Sequence, residues 1–99
     1  NNAKIIGYGA TAKSTTILNY CKIDNKIIDY FVDTTEAKQS KYTPGTKIFI
    51  KKYIGYIEND VDYIFLGAWN FQKEILAKEK QFIKKGGKFI IHTPYPKII

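Results

Sequence analysis

The sequence predicts an α/β fold: a Rossmann-like three-layer sandwich with a mostly parallel sheet of about five strands in the order 3-2-1-4-5. Three observations carry that expectation. Short apolar runs alternate with helical patterns along all 99 residues. Residues 61–66 are apolar almost throughout, as expected of a strand buried on both faces. Gly7 and Gly9 stand between an apolar run and a helical pattern, where a tight strand-to-helix turn is needed. Alternation with burial on both faces implies a parallel sheet covered by helices, and right-handed crossovers then restrict the strand order.

Ile5 and Ile6 read as the first strand, with Gly7 supplying the turn at its end. Gly9 lets a backbone or a ligand approach closely, and Ala12 is small enough for the next helix to pack on its own strand. This is the G-x-G-x-x-G/A arrangement, in which free N–H groups at a helix start make a natural anion site. Lys13 puts a cation in the first helical turn, which is unfavourable there unless an anion is present. Three readings stay open: a plain strand-to-helix turn, a nucleotide or diphosphate site, and an ATPase-type phosphate loop. The last is the weakest, because residues 7–14 read G-x-x-x-x-A-K-S and Ala12 lacks the left-handed freedom of the required glycine.

The first helix is expected over 11–21, with Ala10, Ser14, Ile17, Leu18 and Cys21 forming one stripe. Thr15 and Thr16 lower its propensity, so packing must hold it. The hydroxyls of Thr11, Ser14 and Thr15 suit first-turn capping better than anion binding. Cys21 reads as a small core residue. After a turn at Asp24-Asn25, residues 27–32 form the second strand, ending at Asp33. Asp33 lies 21 residues beyond Ala12, where dinucleotide folds place an acid on a ribose. Capping of the turn that follows is the equal alternative. A short helical segment over 36–41 leads to a Pro44-Gly45 turn and a third strand at 48–50, with Lys51 and Lys52 solvated. The link over 51–60 is near the minimum length for a crossover, so coil is expected there as readily as helix.

The fourth strand, 61–66, runs into Gly67-Ala68-Trp69-Asn70, with Asn70 as N-cap of a second helix. That helix places Phe71, Ile75, Leu76, Phe82 and Ile83 on one face and ends at Gly86-Gly87. Glu79 falls inside the apolar face, a flaw that implies a lysine partner or a contact with something outside this domain. The fifth strand is 88–91, and His92-Thr93-Pro94-Tyr95-Pro96 stops regular structure. His92 shows no carboxylate or cysteine partner in the pattern, so a structural or exposed role outweighs a catalytic one.

The formal charge is +7, from 16 basic against 9 acidic residues, and it suits phosphates, nucleotides or an acidic neighbouring domain. Every basic residue is a lysine, so the arginines that read base edges are missing and nucleic acid is not an expected partner. One cysteine allows neither an internal disulfide nor a zinc cluster, which makes a cytoplasmic location the default. No apolar run approaches a membrane span and no signal peptide opens the chain. The sequence has no methionine, and 1–99 reads as a single domain excised from a longer protein.

In open parallel sheets, ligands bind beyond the carboxyl ends of the strands, where strand order reverses. Those ends carry Gly7, Tyr8, Gly9, Ala10 and Lys13, then Asp33, then Trp69 and Asn70, and finally His92-Thr93. The set suits a nucleotide: N–H donors and a lysine for phosphate, an acid for ribose, an indole for stacking. Trp69 serves equally as a wedge against a neighbouring domain. Nothing in the set pairs a nucleophile with a base, forms a carboxylate dyad or has metal-ligand spacing.

Several segments taken together are similar to a known family. Gly7-Tyr8-Gly9-Ala10 with Lys13, Thr16-Ile17-Leu18-Asn19-Tyr20-Cys21, Val32-Asp33 with Lys38-Gln39, Tyr42-Thr43-Pro44-Gly45-Thr46 and Ala68-Trp69-Asn70 resemble the C-terminal domain of sugar C-methyltransferases. These enzymes methylate deoxysugars attached to a nucleoside diphosphate, using S-adenosylmethionine. The resemblance implies upstream domains, one binding zinc and a central one holding the methyl donor and the base. It implies no cofactor in this domain, which would line the nucleotide-sugar side of the cleft through the Gly7–Lys13 loop. Lys47-Ile48-Phe49 stands where the family usually reads His-Ile-Pro, and Ser40 where glycine is common; both bear on which sugar is accepted. A stand-alone NAD(P)- or nucleotide-binding module, and a scaffold that only packs on a central domain, are the alternatives.

Overall fold

The computed structural model describes residues 3–92 and 97–99. Its six-stranded sheet has the order β3-β2-β1-β4-β5-β6, built from β1 (Ile5–Tyr8), β2 (Ile28–Asp33), β3 (Ile50–Lys52), β4 (Tyr63–Leu66), β5 (Lys88–Ile91) and β6 (Lys97–Ile98). The first five pair in parallel, as the alternation of strands and helices requires. β6 returns antiparallel on the outer edge of β5, through Ile90↔Ile98 and Ile91↔Lys97. Regular structure therefore does not stop after β5, although Thr93, Pro94, Tyr95 and Pro96 lie outside the described residues.

Side-chain alternation along the strands makes two cores. On one face, α1 (Ala12–Tyr20) covers Phe31, Ile50 and Phe65 with Leu18 and Ile28. On the other, α2 (Gln72–Lys78) and α3 (Lys80–Lys84) set Ile75 and Phe82 against Ile6, Val32, Ile64, Leu66 and Phe89. Each fully buried side chain of this size stabilises the fold by roughly 1.5–3 kcal/mol. β4 shows the double-sided burial most plainly: Ile64 and Leu66 face one core, Phe65 the other.

Several local expectations need correction. β1 runs through Gly7, which pairs with Phe31 and Phe65 inside the sheet. A Cβ on Gly7 would lie 2.3 Å from the Phe31 ring, so this glycine makes room for an aromatic side chain, and Gly9 makes the turn. Ala12 is exposed; Ala10 and the fully buried Ser14 bring the helix down on the sheet. Cys21, expected in the core, is exposed just past the end of α1. There the chain turns back early: Lys22 takes φ +59°, and the N–H groups of Ile23 and Lys22 donate to Leu18 and Asn19 at 2.9 and 3.2 Å. This is a Schellman closure with lysine where glycine is usual.

The third strand starts two residues later than the apolar run suggests, because the Ile48 carbonyl and N–H are taken by Thr43 N–H and Thr43 Oγ1, each at 2.9 Å, and Phe49 bridges Tyr42, so the register with β2 begins at Phe31↔Ile50. Residues 36–38 make one 3-10 turn rather than a segment reaching 41. Asn70 caps nothing; it lies within a 3-10 turn, Trp69–Phe71, ahead of α2. The second helix is broken at Glu79, which takes φ −102°, ψ 39° between α2 and α3. Phe71, in the 3-10 turn before α2, and Ile83, beyond the break, both fall outside the apolar face and are 53% and 42% exposed. α3 ends as expected, with Gly87 and Gly86 N–H donating to Phe82 and Ile83 carbonyls.

The link between β3 and β4 carries no helix. Polar ties hold it instead: Tyr30 Oη donates to Glu58 at 2.7 Å, Lys4 pairs with Asp60 at 2.9 Å, and Lys85 Nζ donates to the Val61 carbonyl at 3.0 Å and to that of Asn59. Tyr53, Ile57 and Val61 supply its apolar anchors.

Candidate functional site

The strand order reverses between β1 and β4, so a ligand crevice is expected above their carboxyl ends. Two loops meet there. Gly9 takes φ +87°, and a Cβ on it would lie 2.6 Å from the Ala68 Cβ. Gly67 is tighter still, since a Cβ there would be 2.1 Å from the Gly9 carbonyl oxygen. Gly67 and Ala68 N–H both donate to the Tyr8 carbonyl, at 2.9 and 3.2 Å, and Thr11 Oγ1 donates to the Gly67 carbonyl at 3.1 Å. The glycine loop and the segment after β4 are thus one bonded unit.

Most polar groups of the glycine loop serve the fold. Gly9 N–H donates to the Val32 carbonyl at 2.9 Å, and Ala10 N–H donates to Asp33 Oδ2 at 2.8 Å. Thr11 is the N-cap of α1, accepting from Ser14 N–H at 3.2 Å. The Ser14 and Thr15 hydroxyls donate back to the Thr11 carbonyl. All three hydroxyls therefore do ordinary first-turn work. The backbone donors left to face outward are those of Ala12 and Lys13, which by helix geometry have no intrahelical acceptor.

Asp33 is buried, at 7% exposure. Its second oxygen accepts from Thr35 N–H at 2.8 Å, which is the turn-capping contact. The same carboxylate thus anchors the loop after β2 and the loop after β1. Tyr8, Gly9, Asp33, Lys38, Glu74 and Lys78 line a cleft of about 420 Å³ beside it. Two carboxylates and two ammoniums balance there.

Lys13 and Trp69 lie together on the other side of the glycine loop. The exposed ammonium of Lys13 stands 5.7 Å from the centroid of the Trp69 ring. His92, at the end of β5, stacks on Phe65 with centroids 5.4 Å apart. Burial, and then the charge of Lys13, hold its imidazole below the ordinary 6.5. Asn70 is exposed beside Trp69. The sequence-predicted residues accordingly divide: Tyr8, Gly9 and Asp33 at the cleft, Lys13 and Trp69 across the loop, Ala10 and Gly7 buried beneath.

These observations fix the architecture; comparison with known proteins fixes the family. The C-methyltransferase C-terminal domain family matches residues 1–94. The chain belongs to that family. It is similar to C-methyltransferase NovU of Streptomyces niveus, with 38% identity over 98 residues that cover 96% of this chain. The chain spans about 23% of that relative's length, so further domains are implied for an enzyme of this kind. Among the described residues of this C-methyltransferase C-terminal domain, no helix is long and apolar enough to cross a membrane. No group of three His, Cys, Asp or Glu side chains among them could hold a metal ion.

Two features of the domain were not assembled from sequence. One is a buried polar triad: Tyr8 Oη donates to Glu79 Oε2 at 3.0 Å, and Tyr53 Oη donates to the same oxygen. The Tyr8 and Tyr53 rings lie 5.5 Å apart. Burial and the adjacent Glu79 charge push both phenols up, Tyr53 to about 12. Glu79's misplacement in the apolar pattern was the legible signal, but its partners are phenols rather than a lysine. The other is a groove of about 600 Å³ between α1 and the segment after β2. Its walls come from two segments of the sequence, 10–19 and 37–50, which only the fold brings together.

Proposed function

We propose that this domain forms the substrate side of the cleft in an S-adenosylmethionine-dependent C-methyltransferase acting on a nucleoside-diphosphate deoxysugar. The single observation that carries this reading is the exposed Lys13 ammonium beside Trp69, at the start of α1 and above the sheet's reversal point. A cation at a helix N-terminus is unfavourable by itself and becomes favourable when an anion joins it. The diphosphate is held by Lys13 and by the N–H groups of Ala12 and Lys13. Gly9 and Ala10 shape the loop and Asp33 fixes it, with Gly7 and Tyr8 supporting it from β1. Trp69 and Asn70 face the sugar side.

The residues here do not fit the methyl donor. S-adenosylmethionine carries a sulfonium cation, whereas in the cleft Glu74 and Asp33 are offset by Lys38 and Lys78, which leaves no net negative charge to receive it. Asp33 is already engaged by two backbone donors. The donor therefore belongs to another domain, and this chain transfers no methyl group by itself.

Titration of the chain with nucleoside diphosphates and with NAD tests the reading. Weak diphosphate binding is expected, because half of the cleft is supplied elsewhere, and it should fall with Lys13→Ala and with rising salt. Binding indifferent to both changes would remove the loop from the site. Preference for NAD over a diphosphate would favour a dinucleotide module instead.

A further inference from the structure

A groove of about 600 Å³ lies beside the cleft, between the outer face of α1 and the residues after β2. Ala12, Thr16, Lys38, Lys41, Tyr42 and Pro44 line it. No acidic side chain stands among the described residues that line it, in contrast to the cleft with Asp33 and Glu74. Tyr42 is 65% exposed. Its ring packs against Phe49 in a T-shaped pair, at 5.2 Å between centroids and 63°, so the ring is held while most of it stays exposed.

The groove wall is preformed. Asn19 Nδ2 donates to the Pro44 carbonyl at 3.0 Å and to the Thr15 carbonyl at 3.1 Å, tying the segment to α1. A Cβ on Gly45 would lie 2.2 Å from Asn19 Oδ1, so the contact is close. Behind it, the buried Thr43 and Thr46 hydroxyls bond to each other, and Thr43 Oγ1 accepts from Ile48 N–H at 2.9 Å. Ser40 N–H donates to the Ile50 carbonyl, and Ile50 N–H to the Lys41 carbonyl, each at 2.8 Å. An exposed ring on a fixed backbone, two ammoniums and no carboxylate suit a planar base joined to a phosphate. Lys38 borders both the groove and the cleft, and Ala12 is the first residue of α1, so the groove opens onto the diphosphate position.

We infer that this groove seats the nucleoside phosphate end of the ligand, with the base against Tyr42 and the phosphate drawn by Lys38 and Lys41. The inference deepens the function proposed above and rests on it for the identity of the whole ligand. It also gives the ligand a direction: nucleoside over β2 and β3, sugar toward Trp69 over β4.

The test is isothermal titration of the chain with the common nucleoside 5′-monophosphates and 5′-diphosphates, with inorganic phosphate as the comparison. A nucleotide should bind at least about fivefold more tightly than inorganic phosphate, and Tyr42→Ala should weaken it about tenfold, in keeping with base stacking on an aromatic ring. Lys38→Ala/Lys41→Ala should weaken nucleotide and phosphate alike and flatten the salt dependence. Circular dichroism confirms that each variant is folded. Nucleotide binding that falls with Lys13→Ala but ignores Tyr42, Lys38 and Lys41 overturns the groove and leaves the proposed function standing. Binding that depends on the groove residues and ignores Lys13 upholds the groove while the glycine-loop role falls. Equal affinity for phosphate and nucleotide, or no nucleotide binding at millimolar concentration, overturns the inference.

Discussion

Asp33 offers the sharpest check on how this domain holds the loops after β1 and β2 together. Its carboxylate accepts two backbone N–H bonds of 2.8 Å, from Ala10 and from Thr35, in a site only 7% exposed. Hydrogen bonds to a charged group contribute about 1.5–3 kcal/mol each, and an unpaired buried donor costs about 1–3 kcal/mol. Asp33→Ala removes both bonds and strands the N–H of the buried Ala10, so a loss of about 3–5 kcal/mol is expected, a large share of the roughly 5–15 kcal/mol available to such a domain. Asp33→Asn keeps one acceptor oxygen and sets an amide NH2 against the other donor, so it should cost about half as much. Urea unfolding followed by Trp69 fluorescence gives the stabilities, and amide exchange at Ala10 reports the bond directly. An Asp33→Ala protein within about 0.5 kcal/mol of the parent, with unchanged Ala10 exchange, would refute the reasoning.

Three further outcomes follow from the same geometry. Glu79→Ala leaves two buried phenols without their acceptor and should cost about 3 kcal/mol, whereas Glu79→Leu combined with Tyr8→Phe and Tyr53→Phe should be close to neutral; thermal melts decide, and a triple variant as damaged as Glu79→Ala would contradict this. The Tyr53 phenol is raised from 10.0 to about 12, with Tyr8 and Tyr30 also raised. Stability from these groups is therefore complete below pH 10 and lost as pH rises through the folded-state values, which absorbance titration at alkaline pH will show as phenol ionisation coincident with unfolding. His92 is lowered by burial and then by Lys13, so its contribution is present above pH 6.5 and lost as pH falls through the lowered value. Lys13→Ala should move the imidazole titration upward in proton NMR, and an unmoved titration would separate the two residues.

The architecture was legible because strand burial leaves a plain trace: β4 is apolar on both faces, and Ile5-Ile6 before a glycine pair can hardly be anything but a strand entering a helix. What the trace lacks is pairing. Ile48 is as buried as any residue of the chain, yet it lies outside the ladder, which begins at Ile50. The helical period through 71–83 is real, but it takes a long-range event to break it, the capture of Glu79 by Tyr8 and Tyr53 from β1 and from the link after β3. Of the candidate site, the glycine loop, Lys13, Asp33 and Trp69 were found in sequence by type and spacing. Their division between cleft and outer surface was not, because the Ala10–Asp33 bond that ties two loops together depends on rotamers, and no spacing rule encodes those.

The close approach of Gly9 and Gly67 has a consequence for how such a domain changes. With the Gly9 carbonyl occupying the volume where a side chain on Gly67 would stand, and Ala68 the volume where one on Gly9 would stand, the two turns are riveted, and neither drifts in sequence without dislodging its mate. Room for change is thereby pushed outward, to exposed positions such as Asn70, Lys41 and Tyr42, where a new side chain meets water and not a neighbouring carbonyl.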